Sequence, residues 1–111
     1  MSDIPFHVRQ GDVLIVAMDR IPDDALPVAR DQGRVVLAYG EVTGHAHAIR
    51  AQGATLLERD AVRYLRLDAP VELEHEEHAT IDLPPGGYRV VIQREYVPAE
   101  RPGQSWRSVA D

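Results

Sequence analysis

Short apolar runs and apolar–polar alternation recur through most of this chain. A period of two residues over runs of this length predicts β-strands. The predicted strand segments are, in chain order, two within Phe6–Met18, then Arg34–Ile49, Ala54–Leu57, Val62–Leu67, Val71–Leu73, Ala79–Leu83 and Tyr88–Tyr96. In Val13–Met18 both alternating sets are apolar, which indicates a strand covered on both faces or one crossing the middle of a small barrel.

Turn-forming residues separate these segments at short intervals. Gly11-Asp12 is interpreted as a turn alone, and residues 19–33, rich in proline and aspartate, as a loop with room for one helical turn. Pro84-Pro85-Gly86-Gly87 is the strongest turn signal in the chain. About seven or eight short strands with little helical periodicity favour an all-β fold, either a small barrel or a sandwich.

The chain length of 111 residues favours one domain, which we expect to occupy residues 1–96. Residues 97–111 form a polar tail that contains the only tryptophan, Trp106. A large apolar ring in a polar tail usually docks, so we expect this tail to pack on its own domain or on a neighbouring subunit.

Charge and composition exclude several classes of protein. The formal net charge is −6, from 12 basic and 18 acidic residues, and the arginines are not clustered, which disfavours nucleic-acid binding. The chain has no cysteine, so disulfides and thiolate metal sites are excluded. The longest apolar run, Val13–Met18, is too short to cross a bilayer, and the N-terminus lacks a secretory pattern. We therefore expect a cytoplasmic protein without a membrane partner.

Four of the five histidines fall in two close pairs about thirty residues apart. Imidazole is the commonest protein ligand for transition metals. His45 and His47 lie two positions apart, so a regular strand places both on one face. If Arg34–Ile49 were one unbroken strand, that face would also carry Leu37, Tyr39 and Ile49. Gly40 and Gly44 instead favour a bulge or bend. His7 stands alone and is interpreted as structural.

The second pair, His75 and His78, allows two arrangements. A continuous strand over Val71–Leu83 would direct His75 and Glu77 to the apolar face and leave His78 outside. A turn at Glu76-Glu77 would bring His75 and His78 together instead. The site is therefore completed by either Glu77 or His78, and His75 belongs to both sets.

Nitrogen ligands with or without a carboxylate suit zinc first, with iron, nickel or manganese as alternatives, and do not suit calcium or magnesium. Three protein ligands would leave a coordination position for water or a small molecule, which is the catalytic arrangement. Glu41 or Glu77 would then act as general base or orient a ligand. The alternative interpretation is that these histidines are solvated or structural, or include a metal-free base.

Gly40, His45 and His47, followed by the turn at Pro84–Tyr88, resemble the motifs of the cupin family. The resemblance implies a small β-barrel with a metal-ligand role for His45 and His47 only. It extends no further because no glutamate follows His47 at the family's distance, and Tyr88 stands where the family carries another histidine.

These patterns favour a small transition-metal-binding β protein that self-associates and is either a metal-dependent enzyme acting on a small molecule or a metal binder. The competing hypothesis is a non-catalytic β module that assembles with itself or with a partner. In that case histidines at the interface would make assembly sensitive to pH.

Overall fold

The computed structural model describes residues 6–40, 44–96 and 106–108, with 94–96 and 106–108 described by their backbone alone. These residues form twelve β-strands and no helix. The strands are β1 His7–Gln10, β2 Val13–Met18, β3 Leu26–Pro27, β4 Val35–Tyr39, β5 Ala46–Ile49, β6 Ala54–Arg59, β7 Val62–Leu67, β8 Val71–Leu73, β9 Ile81–Leu83, β10 Gly86–Ile92, β11 Arg94–Tyr96 and β12 Trp106–Ser108.

The largest layer is an antiparallel six-stranded sheet in the order β1-β2-β10-β7-β6-β3. β6 and β7 are consecutive strands that pair with each other across the tight turn Asp60-Ala61. Both of these residues have positive φ values, 52° and 66°, as two-residue hairpin turns require. β1 and β3 lie at the two edges, so the sheet does not close into a barrel.

Two hairpins, β4–β5 and β8–β9, form the opposing layer. They are joined by a bridge in which Ala48 and Glu74 exchange two backbone hydrogen bonds, both 2.9 Å long. Apolar side chains of both layers meet in one buried cluster, with Ile15 and Leu65 from the sheet and Ile49 and Leu73 from the hairpins all 0% exposed. The fold is therefore all-β and sandwich-like, which confirms the expected class.

The predicted segments differ from the observed strands mainly where a segment contains two strands. Arg34–Ile49 folds back on itself as the β4–β5 hairpin, and Tyr88–Tyr96 divides at Gln93 into β10 and β11. The stretch 19–33 contains the two-residue strand β3 and no helical turn. The backbone of Trp106 pairs with that of Tyr96; docking through its ring stays a prediction. The described ranges contain no helix long and apolar enough to cross a membrane.

Candidate metal centre

All four paired histidines meet at one end of the hairpin layer. The ring centroid of His75 lies 4.3 Å from that of His47, 4.7 Å from that of His78 and 5.9 Å from that of His45. The rings of His47 and His78 are 6.0 Å apart and nearly parallel. His75 is thus the central member of the cluster, and residues thirty positions apart in sequence become neighbours.

The β4–β5 turn positions the first pair. Gly44 has a φ of 89°, and the Gly40 N–H donates to the His45 carbonyl at 2.8 Å, which closes the turn. A Cβ added at Gly40 would lie 3.0 Å from the Cβ of His45, so the close approach needs glycine here. His47 then enters β5 opposite Ala38 and is only 1% exposed. Arg34–Ile49 is therefore not one unbroken strand, and the bend expected at the glycines is confirmed.

Hydrogen bonds between the two hairpins hold the second pair against the first. Besides the Ala48–Glu74 bridge, the Ala46 N–H donates to Glu76 Oε1 at 2.9 Å. Because Ala46 lies between the first two histidines, this contact directs Glu76 toward them. It is also the main reason why the pKa of Glu76 is lowered, with a bond from its own amide second, so this carboxylate stays ionised to lower pH.

The chain leaves strand geometry after β8 and bends through residues 76–78 before β9 begins. This bend brings the rings of His75 and His78 together, and His75 is 8% exposed. Of the two arrangements considered for Val71–Leu83, the turn at Glu76-Glu77 is therefore confirmed and the continuous strand is wrong. The turn is made of bends and not of a helical or 3₁₀ turn.

One buried glutamine connects both histidine segments. The Gln10 amide nitrogen donates to the carbonyls of Leu73 and Ala79, each at 3.0 Å, on either side of the histidine-bearing bend. Its oxygen therefore faces His47 Nδ1 at 2.9 Å and must accept a proton from it. In neutral His47 the lone pair is consequently on Nε2, where the Asp12 carboxylate lies 3.4 Å away.

The atoms best arranged to hold an ion belong to His45, His75 and Glu76. Each offers one ligand atom, and these atoms all lie within 4.8 Å of one another. It is the only such group of three or more residues within the described part of the chain. Two imidazole nitrogens and one carboxylate oxygen form a donor set that suits borderline divalent metals.

Contacts with Glu77 differ between the two histidines of this group. His45 Nδ1 lies 3.3 Å from Glu77 Oε2, so a proton on Nδ1 leaves the Nε2 lone pair for a metal. His75 Nδ1 instead accepts the backbone N–H of Glu77 at 3.0 Å, which places the proton of the neutral ring on Nε2. A metal on His75 must therefore replace the Glu77 amide at Nδ1 or change the tautomer of the ring.

The predicted site residues thus occupy different positions relative to the three-residue group. His45 and His75 belong to the three-residue group, while His47 and His78 pack beside His75. Glu77 contacts His45, and Glu41 lies outside the described residues. Their metal-binding and catalytic roles stay predictions.

Sequence reasoning missed Glu76, Gln10 and Asp12. Gln10 shares an alternating face with Val8, so a polar residue at an inward position was the signal available for it. Asp12 was interpreted as part of a turn alone, yet it lies beside His47. Glu76 had no comparable signal because the path of the bend decides which of two adjacent glutamates joins His45 and His75 in the three-residue group.

A protein-family model described as Domain of unknown function (DUF8820) matches residues 9–93. No curated protein and no solved structure matches the chain. The cupin resemblance, self-association, the cytoplasmic location and the lack of a nucleic-acid partner therefore stay predictions.

Proposed function

Because the chain belongs to the DUF8820 family, whose description names no activity, we propose a function from the site alone: the protein binds one divalent transition metal. The ligands are His45, His75 and Glu76. The observation that carries the proposal is the convergence of their ligand atoms within 4.8 Å, from two hairpins that are joined by tertiary hydrogen bonds.

The donor set points to zinc first. Zinc takes imidazole and carboxylate ligands, and three protein ligands leave a position for water or a small molecule. The same set of two histidines and one carboxylate binds iron(II) in non-haem oxygenases, so iron is the alternative. A bound metal would act as a Lewis acid or lower the pKa of bound water, which is the basis for proposing an enzyme that acts on a small molecule.

Side chains around the three ligands support this assignment because they orient imidazoles. Glu77 faces Nδ1 of His45 in the way that carboxylates commonly face metal-binding histidines. Gln10 holds His47 in one tautomer beside His75, and the Nε2 atoms of His47, His75 and His78 are buried. A cupin-like arrangement, with His45 and His47 both near the metal, is part of the proposal.

The first test is metal analysis of tag-free, full-length protein together with zinc titration calorimetry. We expect near-stoichiometric metal in the wild type and its loss in His45→Ala and Glu76→Gln. His7→Ala is the matched histidine control, because His7 is exposed on β1 and outside the cluster. It should leave binding unchanged.

Adjacent glutamates provide the sharper comparison. Glu77→Gln removes the same charge as Glu76→Gln, but it affects a residue that only orients His45, so zinc affinity should fall by roughly tenfold without being lost. Wild-type protein that binds no metal, or a Glu76→Gln variant with wild-type affinity, would overturn the proposed ligand set.

A further inference from the structure

We propose that a small molecule with a carboxylate group binds in a cleft beside the metal, where the Arg34 guanidinium pairs with the carboxylate. This binding requires the metal. The inference rests on the proposed function, because the cleft shares two residues with the metal group. His75 and Glu76 line it together with Arg34 and Arg50.

The β4–β5 hairpin places both arginines in the cleft. Val35 pairs with Ile49 in an antiparallel register, so Arg34 and Arg50 follow at the same end of that pair. The small side chains of Ala46 and Ala48, which alternate with the same parity as Arg50, also line the cleft. A ligand in this cleft would have both a guanidinium and the metal group among its neighbours.

Arg34 and Arg50 differ in the ion pairs and hydrogen bonds that their side chains form. Arg50 Nε forms an ion pair with Glu74 Oε1 at 3.1 Å. The Arg34 side chain is half-buried and forms no hydrogen bond or ion pair with residues of the described ranges. A planar guanidinium offers two parallel donors that match a carboxylate, so Arg34 is the expected anchor for an anion.

The charges around the cleft explain why the metal is required. Two guanidiniums, Arg34 and Arg50, oppose two carboxylates, Glu74 and Glu76, so the metal-free cleft has no net attraction for an anion. A divalent cation held by the His75–Glu76 side makes the balance positive. Anion affinity should therefore depend on metal loading, and metal affinity should rise by the same factor when the anion is bound.

The size of the cleft limits the ligand. Its volume is about 170 Å³, well below the ~300–1,000 Å³ of pockets for drug-sized molecules. The exposed Thr80 at the rim can offer a hydroxyl donor or acceptor. The chemical class is thus a small molecule with one carboxylate and few other atoms.

The experiment titrates acetate and propionate into full-length protein, once metal-free and once loaded with zinc chloride, and follows backbone amide signals of residues 74–80 by NMR. We expect millimolar binding to the zinc form and at least roughly tenfold weaker binding to the metal-free form. Arg34→Gln should weaken acetate binding about tenfold without changing zinc stoichiometry. Arg9→Gln, the same change at an exposed position on β1, is the control.

The outcomes separate the two proposals. Zinc that binds normally while wild type and Arg34→Gln respond equally to acetate would overturn the carboxylate site and leave the metal site intact. Equal acetate binding with and without zinc would overturn the metal requirement. If zinc does not bind, the proposed function is wrong. If, in addition, acetate binding does not depend on Arg34, the carboxylate site is wrong as well. Inorganic phosphate bound more tightly than acetate would contradict the carboxylate assignment.

Discussion

The six-stranded sheet and the histidine-bearing hairpins are held together by different means. In the sheet, regular antiparallel ladders connect six strands, and buried side chains such as Ile15 and Leu65 pack from its inner face. In the hairpin layer, the site depends on single polar contacts, among them Gln10 with two carbonyls and Glu76 with the Ala46 amide. Many similar contacts stabilise the sheet, whereas a few polar contacts fix the geometry of the site.

This difference leads us to expect that global stability and metal binding are separable. Core substitutions should lower the free energy of unfolding without changing which metal the folded protein holds. Substitutions in the polar contacts should change metal binding by more than their effect on stability would suggest. Three substitutions test this separation.

Leu65→Ala should lower the free energy of unfolding by about 2–5 kcal/mol, because Leu65 is fully buried in β7 and its loss leaves a cavity. Urea denaturation measures the change. The control is Leu26→Ala, since Leu26 is 69% exposed and should cost no more than about 0.5 kcal/mol. Zinc stoichiometry of the folded Leu65→Ala protein should equal that of wild type, and its loss would contradict the separation.

Gln10→Leu should affect both properties. It leaves the Leu73 and Ala79 carbonyls and His47 Nδ1 without the bonds that Gln10 makes, which should cost about 2–4 kcal/mol in urea denaturation. Zinc affinity should fall as well, because Gln10 holds the histidine-bearing bend. Gln52→Leu, at an exposed position, is the matched control. Unchanged zinc affinity in Gln10→Leu would assign this glutamine to the scaffold alone.

Gly40→Ala should have the smallest effect on stability and a clear effect on the site. The new methyl group would meet the Cβ of His45 at 3.0 Å, so the turn must shift, at a cost of about 1 kcal/mol. We expect zinc affinity to fall by roughly tenfold, which calorimetry measures. At Gly53, a Cβ would approach Ala69 at 3.4 Å, an ordinary contact, so Gly53→Ala should bind zinc normally. Equal behaviour of the two variants would rule out a positioning role for Gly40.

Much of the scaffold was predictable because it follows from local pattern. Alternation placed strands at Val13–Met18, Val62–Leu67 and Val71–Leu73 within the observed bounds. Glycine predicted the bend before His45, because only glycine accepts the φ of 89° at Gly44 without strain. The spacing of the histidines also identified the residues whose rings meet.

The order of strands, the division into layers and the choice of ligand oxygen depend on contacts between distant segments. Parity of position assigns a side chain to a face only while a strand continues, and the chain around Glu76 leaves strand geometry. Both glutamates lie near His45, but Glu76 joins the three-residue group, and its carboxylate is held there by a hydrogen bond from Ala46, thirty residues earlier. Residue types and their local period thus established the class of fold and the candidate imidazole ligands, but not Glu76. Only the tertiary structure decided which groups contact these ligands, because the hydrogen bonds involved join residues that are far apart in sequence, and a local pattern carries no information about such pairs.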